Sequence, residues 1–372
     1  MAPQPWFPLQ GFIRRIRPHF RIPSARFEAI DGIEIHRPRF LCIPGVLKWT
    51  DGLFMALSCA WTARRLVRRH CLNILDVHFG YPDGYAGVLL GRWLQLPVML
   101  TLRGKEQRQA MTNVRSALAW AVRRADKVIT VSDALREVAL ELGADPARVS
   151  VVGNGVDLDK FHPLSRVEAR ASLGLPSDAE LLISVGTLTE RKGFHRVIEC
   201  LPNLLKTHPR LHYLVVGGAG PEGDWSSRLH SLTERLGVTE RVHFLGRYAP
   251  EDLKVPLSAA DVFVLATSYE GWANVFLEAM ACGLPVVTTR VGGNEQVVTS
   301  DELGRLVTFG DAAALTAAIS DALERTWDRQ RILEFAHSNG WDQRIPRLVE
   351  LFQQLHARNG DRMKCEAAPG VG

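Results

Sequence analysis

Short apolar runs alternate with helical patterns along most of this chain, and that rhythm restricts it to one kind of core. Asn73–Val77, Val98–Leu102, Lys127–Val131 and Val149–Val152 read as strands. Between them Gly84–Gln95, Val114–Arg124 and Asp133–Leu142 read as helices, the last closed by Gly143. The rhythm pauses over Asp157–Pro176, which holds two prolines and little periodicity, and an interdomain hinge is expected there. It resumes with strands at Leu181–Val185, His212–Val216, Val242–Leu245, Val262–Ala266 and Pro285–Thr288. The intervening helices are expected at Phe194–Thr207, Ser226–Leu236 and Asn274–Cys282, the last stopped by Gly283. Continuous apolar strands alternating with helices predict a parallel sheet covered on both faces.

The expected fold class is therefore α/β, with two Rossmann-like doubly wound domains facing each other across a cleft. Residues 1–160 form the first and 161–342 the second, and a tail helix near Gln343–His356, within 343–372, is expected to rejoin the first. The 372 residues fit two domains at roughly 100–200 residues each. Apolar content of 46% and charged content of 23% exclude disordered, collagenous and coiled-coil chains. No apolar run approaches the ~20 residues that span a bilayer, and no signal-peptide core opens the chain, so a cytoplasmic protein is expected. The cysteines Cys42, Cys59, Cys71, Cys200, Cys282 and Cys365 never fall in a CxxC pattern, which predicts reduced packing thiols without zinc.

Charge is unevenly distributed. Residues 1–70 carry a net +8, against −3 for the remainder. Arg14, Arg15, Arg17 and Arg21 are interleaved with Phe12, Ile13, Ile16 and Phe20, and Arg64, Arg65, Arg68 and Arg69 follow Trp61 at a spacing that places four charges on one helical face. A solvated basic face or docking on an anionic membrane accounts for this pattern. No nucleic-acid-binding motif accompanies it.

The chemistry concentrates at Ser268–Val287. A strand ends in a loop carrying Glu270, a helix opens near Asn274, and Glu278 lies one turn in. Ligands of open α/β sheets sit beyond the carboxyl ends of the strands, and a helix N-terminus there suits a diphosphate. Two carboxylates flanking that point can accept hydrogen bonds from sugar and ribose hydroxyls. Asp157–Leu158–Asp159 formally reads DxD, but its place at the hinge predicts a structural role. No HExxH metal motif and no nucleophile elbow is present.

Glu270 and Glu278 match the E-x7-E motif of the family-4 retaining glycosyltransferases with the GT-B fold, which this sequence resembles over about residues 71–350. The resemblance runs through Glu278–Val287, Gly292–Glu295, Asn154–Asp157 and Gly186–Gly193. Tyr81–Gly84 and Thr101–Gly104 look like the branch that assembles bacterial exopolysaccharide, capsule or teichuronic acid. The resemblance implies transfer of a hexose from a nucleotide diphosphosugar to a glycan or lipid-linked hydroxyl, with retention of configuration. Glu270 would contact the donor hexose, Lys192 the donor phosphates and Glu278 the ribose. Arg191, Gly186, Gly218, Ala273, Asn274 and Val275 complete the donor side, and Arg103 joins Glu270 and Lys192 as a catalytic candidate. His78 and Asp83 are acceptor-side candidates. No cofactor or essential metal is expected, and no nucleic acid among the partners. Domain closure is expected to exclude water.

Three departures from the family stand out. Thr187 and Arg103 occupy positions where many members have arginine and histidine. Members begin with a strand and a glycine turn, whereas Ala2–Pro8 resembles the end of a second strand, so either the start is misassigned or the chain is truncated. Alternatives to the transferase are a GT-B sugar-nucleotide epimerase and a non-catalytic assembly subunit.

Overall fold

The computed structural model describes residues 1–8, 10, 25–43, 47–220 and 222–367, with side chains described to residue 357. The basic stretch Arg14–Arg21 lies outside the described residues. The chain divides into two compact units. One comprises Met1–Val152 together with Pro346–Gly372, the other Gly153–Ile345. The division falls ahead of the Asp157–Pro176 segment, which is ordered and carries its own helix, Arg166–Ser172, capped by the Ser165 hydroxyl.

The first unit holds a short parallel pair, β1 (Gln4–Trp6) with β4 (Arg39–Leu41), and an antiparallel hairpin of β2 (Phe27–Ile30) and β3 (Ile33–His36). Its main sheet is parallel, in the order β5 (Leu75–His78), β6 (Val98–Leu102), β7 (Lys127–Thr130) and β8 (Val149–Val151). Every residue of β6 is buried, as expected for a strand covered on both faces. Leu351 and Leu355, on the helix Trp341–Ala367, pack with Met99, Ile129 and Val152 of this unit.

The second unit is a six-stranded parallel sheet of β9 (Glu180–Val185), β10 (Leu211–Val216), β11 (Val242–Gly246), β12 (Val262–Leu265), β13 (Val286–Thr289) and β14 (Gly304–Val307). In space the order is β11-β10-β9-β12-β13-β14. Alternate side chains of a strand point to opposite faces. Leu181, Ile183, Leu214, Phe263 and Leu265 accordingly join one apolar cluster, while Leu182, Tyr213, Val215, Val262 and Val264 join a second. The helices Phe194–Thr207 and Ala312–Glu324 contribute to the second cluster, and Asn274–Ala281 and Arg329–Ser338 to the first. This is the doubly wound order, in which β10 and β11 are added on one side of β9 and the chain then crosses back to add β12, β13 and β14 on the other. Among the described residues no helix is long and apolar enough to cross a membrane.

Candidate active site

The switch point fixes where this sheet can hold a ligand, because the loops leaving β9 and β12 turn apart there and open a crevice. The loop after β9 runs from Gly186 to Gly193 and carries a 3-10 turn, Glu190–Lys192. The loop after β12 carries Thr267 to Ala273 and feeds the helix Asn274–Ala281. Gly193 has φ +75°, and a Cβ on it would stand 1.9 Å from the Ala266 carbonyl oxygen. Gly292 has φ +53°, and its Cβ would stand 1.8 Å from the Glu270 carbonyl oxygen. Only glycine lets these loops close on the β12 loop from both sides.

Glu270 sits between them, 7% exposed. Its Oε1 accepts from Lys192 Nζ at 2.7 Å, Arg191 Nη1 at 3.0 Å and Thr267 Oγ1 at 3.1 Å. Arg191 also donates to the Tyr269 carbonyl at 2.9 Å and to Glu222 Oε2 at 2.8 Å. Lys192 and Arg191 are mostly buried but open on one side, so two cations and one carboxylate converge at the end of the switch point. Gly186 lies against Lys192, where a Cβ would be 3.4 Å from Cε. Gly218 lies under Arg247, where a Cβ would be 2.6 Å from Nε.

The helix Asn274–Ala281 begins at a buried Ala273, which has no side-chain oxygen to cap it. Its first N–H groups, those of Asn274 and Val275, make an anion-favouring helix start. The Val275 side chain packs on the core. Asn274 Oδ1 accepts from Asn154 Nδ2 at 2.9 Å. Glu278 is half-buried one turn in, and loss of water pushes its carboxyl up to about 7, with the Lys192 charge opposing the rise.

Arg103, His78 and Asp83 gather in the other unit. Arg103 Nε donates to His78 Nδ1 at 3.0 Å, and His78 Nε2 lies 3.2 Å from Asp76 Oδ2. Desolvation raises the Asp83 carboxyl above its usual range. The residue that shapes this cluster is Glu106, which sequence reasoning missed. It is fully buried and accepts from the backbone N–H groups of Gly80 at 2.8 Å, Gly104 at 2.7 Å and Arg103 at 3.2 Å. It therefore ties the Phe79–Gly84 loop to the Arg103–Gly104 turn. Thr267, Glu222 and Arg247 were likewise missed. An acid close to a glycine turn was the only signal for Glu106, and a polar residue directly after an apolar strand the only one for Thr267.

Asp157 of the formal DxD caps the following turn, with Lys160 N donating to its Oδ1 at 3.2 Å and Lys160 Nζ 3.1 Å from Oδ2. Among the described residues no group of histidine, cysteine and acidic side chains is placed to hold a metal ion. Arg64, Arg65, Arg68 and Arg69 are all exposed on the helix Asp51–His70. Arg69 pairs with Glu34 at 3.4 Å because the β2–β3 hairpin brings that carboxylate to the helix end.

Two family models match the chain. "Glycosyltransferase Family 4" matches residues 11–160, and "Glycosyl transferases group 1" matches residues 165–338. A D-inositol 3-phosphate glycosyltransferase from Corynebacterium urealyticum is 35% identical over 247 residues, 63% of this chain and 58% of that protein. The lipopolysaccharide core biosynthesis glycosyltransferase LpsE of Rhizobium meliloti is 37% identical over 182 residues, 48% of this chain and 51% of that protein. The chain thus matches between half and three fifths of the length of these relatives. Anabaena HepE, solved with UDP-glucose, superposes with a TM-score of 0.68 at 25% identity, covering 88% of this chain and 86% of that one. With one model on residues 11–160 and the other on 165–338, the chain belongs to the family-4 glycosyltransferases of the GT-B fold.

Proposed function

We propose that this protein transfers a hexose from a nucleotide diphosphosugar to a hydroxyl acceptor, with retention of configuration. The observation that carries this reading is the convergence of Lys192, Arg191 and Glu270 at the β9/β12 switch point, beside an uncapped helix start with Glu278 one turn in. The two cations and the helix N–H groups balance the diphosphate, where negative charge grows as the sugar C1–O bond breaks. Glu270 accepts from hexose hydroxyls and Glu278 from the ribose. The acceptor oxygen bonds to C1 on the face the diphosphate leaves, and its proton passes to the departing phosphate oxygen. Charge balance is assigned to side chains, so transfer is expected to persist in a chelator.

The acceptor is read as a glycan or lipid-linked hydroxyl in cell-surface polysaccharide synthesis at the inner face of the plasma membrane, in keeping with the lipopolysaccharide-core role that LpsE is named for. A phosphorylated cyclitol is the second reading. The name of the Corynebacterium relative favours it, as does a cationic Arg103 beside His78 on the acceptor side.

The test is a thermal-shift screen of UDP-, GDP- and ADP-sugars, followed by transfer to lipid-linked glycans and to inositol 3-phosphate, with the product anomer assigned by NMR. A ligand at a hundredfold excess over its Kd stabilises by about 2.7 kcal/mol, a readily measured shift. If no nucleotide sugar raises the melting temperature, the donor assignment fails. If the free nucleotide sugar is epimerised instead, the transferase reading fails.

A further inference from the structure

The helix Asp51–His70 buries Met55, Ala56, Cys59 and Ala63 along one side. On the other side, and in the turn just before it, Trp49, Leu53, Leu57 and Trp61 follow one another four residues apart and are 60%, 43%, 55% and 71% exposed. Arg64, Arg65 and Arg68 extend the same face and are also exposed. At 3.6 residues per turn, Leu53 to Arg68 falls within an arc of about 120° and runs about 22 Å along the axis. The Arg65 guanidinium lies 5.7 Å from the Trp61 ring centroid. Among the described residues no carboxylate pairs with Arg64, Arg65 or Arg68, whereas Arg69 is held by Glu34.

A solvated helix face does not expose two tryptophans and two leucines in register. The apolar half alone would suit many partners. The three unpaired arginines alongside it select one that is apolar within and anionic outside. Indole rings favour the headgroup level of a bilayer, and arginine reaches phosphates while its stem stays on apolar surface. We propose that this face docks on an anionic lipid bilayer. Leu53, Leu57 and the two indoles lie at the acyl boundary, and Arg64, Arg65 and Arg68 lie among the headgroup phosphates. This contact does not depend on the transferase reading, but it would bring a lipid-linked acceptor to the enzyme.

Full-length protein is co-sedimented with phosphatidylcholine vesicles, with and without phosphatidylserine, at low and high salt. Binding is expected to be much stronger with the anionic lipid, and a weaker part of it should survive high salt because the apolar stripe is not screened. Each basic residue near an anionic surface changes partitioning about fivefold, about 1 kcal/mol, so joint replacement Arg64→Gln, Arg65→Gln, Arg68→Gln should weaken binding roughly a hundredfold. Leu57→Ser with Trp61→Ser should remove the salt-resistant part. Brominated acyl chains should quench the fluorescence of wild type more than that of Trp61→Phe, a measurement that needs no disruptive variant. Both multiple variants should keep the thermal shift with UDP, so that loss of docking is told apart from failure of the donor site. The proposal is overturned by absent binding to anionic vesicles at low salt, by equal binding to neutral ones, or by variants that bind like wild type. It is also overturned by a stable dimer that Leu57→Ser with Trp61→Ser dissolves without any vesicle binding, which would make a second copy the occupant.

Discussion

Replacing Glu270 by glutamine separates the charge of this carboxylate from its shape. The amide keeps the size and one carbonyl oxygen, so no cavity opens, and the loss falls on the ionic part of the bonds at Oε1. Two of the three donors there are cations, Lys192 at 2.7 Å and Arg191 at 3.0 Å. Hydrogen bonds to charged groups are worth about 1.5–3 kcal/mol against about 1 for neutral pairs, so the two together lose roughly 2 kcal/mol. Arg191 keeps Glu222 and the Tyr269 carbonyl, so its side chain is not stranded. Lys192 has no other hydrogen-bonded acceptor among the described residues and carries most of the cost. For a domain of this size 1 kcal/mol lowers the melting temperature by about 2–4 °C, so calorimetry should read a drop of about 4–8 °C. Diphosphate oxygens can take the vacated place on Lys192, so UDP should bind at least as tightly as to wild type. Transfer should nonetheless fall a hundredfold or more, since a missing preorganised charge contact costs about 2.7–4 kcal/mol at the transition state. A variant that melts and turns over like wild type would refute the reasoning. So would one that loses UDP binding, since the carboxylate would then hold the nucleotide rather than the sugar.

Gly193→Ala should cost about 3 kcal/mol in urea unfolding, because φ is +75° and the new Cβ meets the Ala266 carbonyl at 1.9 Å, whereas Gly174→Ala, at φ +66° with nothing within 4 Å, should cost only about 1. Similar losses at the two sites would mean that the loops are not in contact. Burial holds the Glu278 carboxyl near 7, above its unfolded value, so the folded state binds a proton that the unfolded chain has lost. Its contribution therefore favours folding at acid pH and fades as pH rises toward 7, a slope that Glu278→Gln should remove from denaturation curves. Ribose hydroxyls donating to the ionised carboxylate should make UDP binding release a proton just below pH 7, seen as buffer-dependent enthalpy in calorimetry and absent in Glu278→Gln. Glu106→Gln turns an amide N–H₂ toward backbone donors that the carboxylate now accepts, and should cost about 2–3 kcal/mol and raise the acceptor KM. Unchanged stability would show that this carboxylate does not hold the two loops.

The apolar runs of β6, β9, β10 and β12 were legible because a strand buried on both faces must be apolar throughout. The helix Phe194–Thr207 was legible to the residue, since its 3.6-residue period is written locally between a left-handed Gly193 and His208. The spacing of Glu270 and Glu278 was also plain in the sequence, as was the loop carrying Lys192. The order β11-β10-β9-β12-β13-β14 was not, because strand neighbours are chosen by packing among elements far apart in the chain. For the same reason the sequence was silent on Lys192 meeting Glu270 across 78 residues and on Glu106 reaching back 26 residues to Gly80. It placed four arginines on one helical face, but was silent on the β2–β3 hairpin delivering Glu34 to Arg69. Periodicity records which residues share a face of their own element. Which face is buried, and which charges are neutralised there, is decided only when separate elements pack, because burial and ion pairing are properties of the neighbours that folding brings within a few ångströms.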